Sequence, residues 1–162
     1  MRVVALDLGT KRVGVAVSDA TATLATPRTT IARSGDRQGE HRRVAELVEE
    51  EEAVLVVVGL PLNMDGSAGP AARAAREEVA ALEAVLPVPV ELADERLTTV
   101  VADRTLLAQG RRAPARRRVV DQTAAAVLLQ TWLDGPGGAQ LRTRAQKPSD
   151  GSPAGRGASV DG

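Results

Sequence analysis

Apolar residues along the chain form short β-rich runs and longer segments with helical spacing. The predicted strands are Arg2–Leu8, Arg12–Ser18, Ala25–Ala32, Val54–Val58 and Val88–Ala93. The first two are separated only by Gly9-Thr10-Lys11, which predicts a β-hairpin. Val54–Val58 is a continuous apolar run, which is typical of a strand that is buried on both faces.

Four segments have the apolar spacing or the boundary residues of helices. They are about Gly39–Glu51, Pro70–Leu86, the segment from Thr98 or Thr99 to Gly110, and Val119–Leu133. Strands joined by short turns cannot be parallel to each other, whereas strands joined through helices usually are. The order β-β-β-α-β-α-β-α-α therefore predicts an α/β fold in which helices cover a mixed sheet.

The C-terminal segment has a different composition from the rest of the chain. Its 28 residues, Gly135–Gly162, contain 7 Gly, 3 Pro and 3 Ser with few large apolar residues. Such a segment buries too little surface to offset its ordering entropy. We therefore expect one folded domain over residues 1–134 and a disordered tail over residues 135–162.

Composition excludes several classes of function. The 162 residues include no Cys and one His, which argues against disulfide scaffolds, cysteine-bound metals and thiol nucleophiles. Aromatic residues make up 1% of the chain, so stacking platforms for single-stranded bases are not expected. Asp7 follows only six residues after the N-terminus, and no apolar run is long enough to span a membrane. These features predict a soluble, cytoplasmic protein with no membrane partner.

Acidic residues follow the predicted parallel strands at the edge where ligands of open α/β sheets bind. Asp7 ends the first strand, Asp94 and Glu95 follow the fifth, and Asp121 begins the last helix. Three of them have a simpler explanation: Asp121 as a dipole partner of its helix, Asp94 as a turn residue, Glu95 as a surface acid. Asp7 is harder to explain in this way, because it interrupts an otherwise apolar strand, where a buried charge is costly. However, two carboxylates about 4 Å apart repel each other by about 4 kcal/mol at an effective dielectric near 20. A cluster would therefore need a cation, and its oxygen ligands favour Mg²⁺ or Mn²⁺.

Basic residues concentrate just before Asp121. Between Arg96 and Val120 there are seven Arg and one Asp, a local charge of +6. Such a cluster is typical of contacts with a phosphate backbone, although the excess of Arg over Lys throughout the chain also fits composition bias. A second basic group, Thr10, Lys11 and Arg12, adjoins Gly9, where a phosphate could approach the backbone closely. The acids of Glu40–Glu52 indicate a solvated helix face.

Four motifs together are similar to those of a known family. They are DLGTKRVGVAVSD over Asp7–Asp19, VGLPLNMDGS over Val58–Ser67, DERLTT over Asp94–Thr99 and VDQTAAA over Val120–Ala126. In order and spacing they resemble the YqgF-type family, whose members are described as Holliday-junction resolvases and as nucleases of pre-16S ribosomal RNA. The resemblance covers about residues 1–134 and implies a ribonuclease H-like fold with sheet order 3-2-1-4-5.

The resemblance also implies a set of site residues. The catalytic, metal-binding acids would be Asp7, Glu95 and Asp121, which favours Glu95 over Asp94. The implied chemistry is phosphodiester hydrolysis assisted by Mg²⁺ or Mn²⁺, with no protein nucleophile. The candidates for contacts with phosphate or nucleic acid are Gly9, Thr10, Lys11, Arg12, Arg96, Arg116, Arg117 and Arg118.

The sequence leaves the substrate and the assembly open. The partner would be a nucleic acid, either structured RNA such as the 5′ end of pre-16S rRNA or branched DNA such as a four-way junction. The protein would act as a monomer or as a homodimer. Two other functions are an actin-like ATP-binding module, which would need a second domain, and a non-catalytic nucleic-acid adaptor, which would not need intact acids.

Overall fold

The computed structural model describes residues 1–61, 65, 67–94 and 113–147, and of residues 113–123 it describes the backbone only. The strands are β1 Arg2–Leu8, β2 Arg12–Ser18, β3 Ala25–Ala32, β4 Ala53–Leu60 and β5 Val90–Asp94. The helices of this part of the chain are α1 Arg37–Glu50, α2 Pro70–Val85, α3 Ala113–Asp134 and α4 Pro136–Gln146. All five predicted strands are present, with bounds that differ by a few residues at β4 and β5.

The strands form one mixed sheet in the order β3-β2-β1-β4-β5. The hairpin partner β2 runs antiparallel to β1, and β3 runs antiparallel to β2. The strands β4 and β5, which follow helices, run parallel to β1 and to each other. The α/β class, the mixed sheet and the order 3-2-1-4-5 are therefore confirmed.

Alternating residues of the central strands form two separate cores. On one face Val4 and Leu6 pack with the buried residues of α1 and α2, including Leu47 and Leu82. On the other face Val3 and Ala5 pack with buried residues of α3: Ala125, Leu128, Leu129 and Leu133. Because successive side chains of a strand point to opposite faces, Asp7 lies on the face that α3 covers.

The acidic surface predicted on α1 is only partly a solvated face. Glu46, Glu49, Glu50 and Glu52 are exposed, but Glu40 is buried. The helix begins after Asp36, whose side chain accepts a hydrogen bond from the Gly39 amide, so Glu40 falls in the first turn. There it faces the protein interior and pairs with Arg33.

The last long helix begins earlier than its apolar spacing indicates. Helix α3 starts at Ala113, whereas the apolar spacing predicts a start at Val119. Pro114 is compatible with a first helical turn, and Arg and Ala are strong helix formers. The helix predicted from Thr98 or Thr99 to Gly110 lies outside the described residues.

The segment after Asp134 also differs from the prediction of a disordered tail. Pro136–Gln146 form α4, which begins with Gly135 at its N-cap and a proline in its first turn. Leu141 packs against the core beneath α3. The Arg142 Nη1 group donates to the carbonyls of Ala22 at 2.7 Å and Leu133 at 3.0 Å. Leu141 and Arg142 thus help to dock a segment whose average composition predicts disorder. Residues 148–162 lie outside the described part.

Of the helices that the structure describes, none combines the length and the hydrophobicity needed to cross a membrane.

Candidate active site

Asp7 lies near the end of the central strand β1, at the edge formed by the carboxyl ends of the parallel strands. It is partly exposed, and its cross-strand partner is Gly14 of β2. Since Gly14 has no side chain, the residue directly opposite leaves space beside the carboxylate. Among the described residues, none donates a hydrogen bond to the Asp7 carboxylate or forms an ion pair with it. The carboxylate is therefore available to a ligand from outside this part of the chain.

Of the other two predicted ligands, Glu95 lies outside the described residues, and Asp121 is described by its backbone alone. Asp94 is opposite Leu60 at the end of β5, and Glu95 is the next residue in the sequence. Asp121 belongs to α3 and occupies a position one turn before Ala125, which is buried on the Asp7 face of the sheet. The side chains of Glu95 and Asp121 lie outside the described residues. Within the described part, no three His, Cys, Asp or Glu residues are grouped to hold a metal.

The turn between β1 and β2 follows Asp7 directly. Thr10 and Lys11 are exposed, and Arg12 is partly buried at the start of β2. A Cβ atom at Gly9 would lie 2.6 Å from the carbonyl oxygen of Arg12, so the turn itself requires glycine at this position. This structural requirement explains Gly9 without a bound phosphate, whereas Thr10 and Lys11 remain accessible to one.

A buried ionic cluster holds this turn from the α1 and α2 side. The Arg33 guanidinium donates through Nε to the Gly9 carbonyl at 3.1 Å and through Nη1 to Glu40 at 2.9 Å. Its Nη1 and Nη2 groups also donate to the two oxygens of Glu78, at 2.6 and 3.0 Å. The amide of Arg33 donates to the Lys11 carbonyl at 2.9 Å. Arg33 therefore joins the turn to both helices.

Glu78 is the acceptor at the centre of this cluster. It is also paired with Arg37 at 2.5 Å, and the His41 Nε2 atom lies 3.0 Å from its Oε1 atom. Burial acts to raise the pKa of Glu78, but the hydrogen bonds from Arg33 and His41 and the charges of Arg33 and Arg37 lower it to about 2. Burial likewise opposes ionisation of Glu40, and the Arg33 and Ser34 donors bring its pKa below the usual value. Both carboxylates are thus ionised.

Sequence reasoning missed this cluster, although one signal was present. Glu78 shares the apolar face of α2 with Ala75, Val79 and Leu82, where an acid needs a buried partner. The partner, Arg33, is 45 positions away in the sequence and cannot be identified from helical spacing.

On the side of the turn where Arg37 and Glu78 lie, a cavity of about 240 Å³ separates Thr10 from the first turns of α2.

Asp19, the last residue of the first motif, has a structural role. Its carboxylate accepts hydrogen bonds from the amides of Thr23 at 2.9 Å and Leu24 at 3.2 Å. The Thr23 amide, the Thr21 hydroxyl and the Leu24 amide hold the pKa of Asp19 well below its usual range. This residue follows β2 at the opposite end of that strand from Arg12, so it orders a loop away from Asp7.

The basic candidates are only partly described. Thr10, Lys11 and Arg12 lie at the turn beside Asp7, whereas Arg96 lies outside the described residues. Arg116, Arg117 and Arg118 belong to the first turns of α3, which the structure describes by its backbone alone. Their contacts with nucleic acid stay predictions.

Comparison with known proteins gives consistent results in sequence and in fold. A family model described as "RuvX: Holliday junction resolvase" matches residues 1–135. A Mycobacterium sp. (strain KMS) protein named "Putative pre-16S rRNA nuclease" is 46% identical over 151 residues, which cover 93% of this chain and 86% of that protein. A protein of the same name from Mycobacterium tuberculosis (strain ATCC 25177 / H37Ra) is 52% identical over 131 residues, which cover 80% of this chain and 76% of that protein.

One solved structure with a similar fold is Thermus thermophilus RuvC in complex with a Holliday junction substrate. Its TM-score is 0.54 at 16% identity, and the match covers 85% of this chain and 97% of that chain. This likeness shows a shared ribonuclease H-like fold, while the sequence matches show the family. The chain therefore belongs to the RuvX family of Holliday junction resolvases, the group that its four motifs resemble.

Proposed function

We propose that the protein is a divalent-metal-dependent nuclease that hydrolyses phosphodiester bonds. The observation that carries this proposal is the position of Asp7. Its carboxylate is partly exposed at the end of the central strand, with no ion-pair partner among the described residues. Membership in a resolvase family supports a nuclease.

The proposed metal ligands are Asp7, Glu95 and Asp121. Carboxylate oxygens suit Mg²⁺ or Mn²⁺, and the Asp7 side chain offers such oxygens at the ligand-binding edge of the sheet. When bound, such ions lower the pKa of a water molecule and stabilise charge on the leaving oxygen. The chain has no Cys, and its one His, His41, is buried against Glu78, so a protein nucleophile of either type is not proposed.

The turn after Asp7 supplies a phosphate-binding surface for the same reaction. Thr10 offers a hydroxyl donor and Lys11 a cation, and both are exposed. Arg12 adjoins them at the start of β2 and Arg96 follows Glu95 in the sequence, so both are further candidates for orienting the scissile phosphate. The three arginines Arg116–Arg118 would contact the backbone of the nucleic acid farther from the cleavage point.

As substrate we propose the 5′ end of pre-16S rRNA, in the maturation of the small ribosomal subunit. The names of relatives at 46% and 52% identity favour this substrate. The description of the family favours a second candidate, branched DNA at a Holliday junction. A junction has two strands to cut symmetrically, so that activity would call for a homodimer, whereas trimming of RNA needs only a monomer.

Asp7→Asn tests the nuclease proposal directly. Purified protein with Mg²⁺ or Mn²⁺ is offered a structured precursor RNA and a four-way DNA junction. The variant should lose at least roughly 10²–10³-fold in kcat/KM, the loss expected when one charge-stabilising group is removed from an active site. Affinity for the nucleic acid should stay within a few-fold, because Asn preserves shape and phosphate contacts. Mn²⁺ binding followed by electron paramagnetic resonance should weaken in parallel.

Asp134→Asn is the matched control, since Asp134 is exposed at the far end of α3 and should not affect cleavage. Cleavage retained by Asp7→Asn would overturn the metal assignment. Tight, metal-independent binding with no cleavage by the unmodified protein would instead indicate an adaptor.

A further inference from the structure

The turn Gly9-Thr10-Lys11 is fixed in place by a residue distant in sequence. Arg33 follows β3, and it contacts this turn twice, through its Nε group to the Gly9 carbonyl at 3.1 Å and through its amide to the Lys11 carbonyl at 2.9 Å. The two contacts lie on either side of Thr10. The position of Thr10 therefore depends on where Arg33 is held.

Arg33 is itself held rigidly. Its side chain is 12% exposed, and those of its partners Glu40 and Glu78 are 4% and 6% exposed. The contact with Glu78 is bidentate, which fixes the plane of the guanidinium as well as its distance. Hydrogen bonds to the two carboxylates raise the pKa of Arg33 although burial opposes its charge. The cation is permanently charged and oriented.

Stability alone does not account for this arrangement. Buried ion pairs carry a desolvation cost, and well-packed apolar residues of similar volume often replace them without a decrease in stability. The Nε group of Arg33, moreover, points to a backbone carbonyl of the turn and not to a carboxylate. Carboxylates of two helices therefore fix the guanidinium, and the guanidinium in turn fixes the turn beside Asp7.

We propose that Arg33 is a positioning residue for catalysis. It holds Gly9-Thr10-Lys11 so that the Thr10 hydroxyl and the Lys11 ammonium group face a substrate phosphate next to Asp7. Glu78 and Glu40 serve as its anchors, and neither contacts the substrate. This proposal rests on the proposed nuclease function, because it assigns a further residue to the same site.

Arg33→Lys is the variant that tests it. Lysine keeps a cation between Glu40 and Glu78 but has no planar fork, so it cannot hold Glu78 in two contacts and also reach Gly9. Arg28→Lys is the matched control, because Arg28 lies on β3 and also pairs with carboxylates of the α1 end, Glu50 and Glu51, at the surface. Arg33→Lys should lower kcat roughly 10²-fold with a smaller change in KM, since a misplaced catalytic group can cost that much. Arg28→Lys should leave both constants unchanged.

A second readout does not depend on cleavage. Backbone order parameters from NMR should be near 0.85 for Gly9, Thr10 and Lys11 in the unmodified protein, as in rigid backbone. In Arg33→Lys they should fall below about 0.6, the range of flexible segments, while those of the sheet stay unchanged. If the unmodified protein fails to cleave, the nuclease proposal fails, and the order parameters still decide whether Arg33 holds the turn.

Glu78→Gln serves as a second variant should Arg33→Lys not fold. It leaves Arg33 paired with Glu40 but removes the charged bidentate anchor, so kcat should fall roughly tenfold, as for a supporting residue behind a ligand. Unchanged order parameters in the turn, or unchanged kcat in a folded variant of the cleaving enzyme, would overturn the proposal.

Discussion

The carboxylate of Glu78 contacts Arg33, Arg37 and His41, and the Glu78 side chain is 6% exposed. Its pKa is about 2 in the folded protein, against 4.5 for the free group. The stabilisation from its ionised form is therefore fully present above pH 4.5 and is lost as the pH falls towards 2. Glu78→Gln should lower the free energy of unfolding at pH 7 by roughly 1.5–3 kcal/mol, the range for hydrogen bonds to charged groups.

Urea unfolding at several pH values checks this expectation. The difference between the unmodified protein and Glu78→Gln should shrink between pH 4.5 and about 2. Glu46→Gln is the control, because Glu46 is 62% exposed at the side chain and pairs with Arg43 on the surface, where such pairs contribute little. A difference that stays constant across this pH range would show that Glu78 stabilises the fold by packing alone.

At the scale of elements, the first turns of α3 bring Arg116, Arg117 and Arg118 onto one helix together with Asp121. Replacing the three arginines with Ala should keep the helix, since Ala has the highest helix propensity. Affinity for nucleic acid should fall similarly across sequences. For duplex DNA, the slope of log affinity against log salt should decrease by about 0.9 for each phosphate group that the variant no longer neutralises.

Filter binding between 50 and 200 mM salt, roughly the range in which phosphate contacts change affinity most visibly, measures this slope. The control replaces three exposed cations elsewhere, Arg42, Arg144 and Lys147, and so removes the same charge. If both triple variants change the slope equally, the effect is one of net charge and the cluster on α3 has no special role.

Elements with strong periodicity were predictable from the sequence, and those defined by distant partners were not. The run Val54–Val58 indicated a strand buried on both faces, and in β4, between β1 and β5, residues 55–58 are buried while Val54 is exposed. The order of all five strands came from the motifs' family resemblance. The cluster of Arg33 with Glu78 depends on a contact between the end of β3 and α2, which no local pattern encodes. Helix α4 was missed because composition averages over Leu141 and Arg142, two of the residues that dock it.

At the scale of the whole molecule, the two faces of the sheet have different roles. The α1 and α2 face contains the ionic cluster that fixes the turn after Asp7. The opposite face is apolar where α3 packs, and it carries Asp7 at its edge. The candidate active site thus lies where the turn that Arg33 contacts meets the carboxylate of Asp7 from the other face. The carboxylates of the cluster are thus buried beside the turn, while the hydrophobic clusters on the two faces are formed by apolar side chains.

The C-terminal helix gives a prediction for the molecule as a whole. A chain ending at Asp134 lacks the apolar packing of Leu141 and the two hydrogen bonds of Arg142. In the full chain α4 packs closely on the ring of Trp132, since a Cβ atom at Gly137 would lie 2.5 Å from that ring. The shortened chain therefore also loses the cover of this ring. The free energy of unfolding should fall by roughly 2–4 kcal/mol, from partial burial of one apolar side chain and two hydrogen bonds.

A chain ending at Lys147 is the matched control and should unfold like the full protein, since the composition of residues 148–162 offers one large apolar residue, Val160. Both shortened chains should keep metal-dependent cleavage. The first reason is that Arg142 docks α4 on Ala22, in the loop that Asp19 orders at the end of β2 away from Asp7. The second is that the family match ends at residue 135, before α4 begins. Denaturant unfolding and the cleavage assay, run on the same preparations, separate the two effects. Equal stability of all three chains would show that α4 does not stabilise the fold, and an inactive but fully folded chain ending at Asp134 would show that α4 acts on the site.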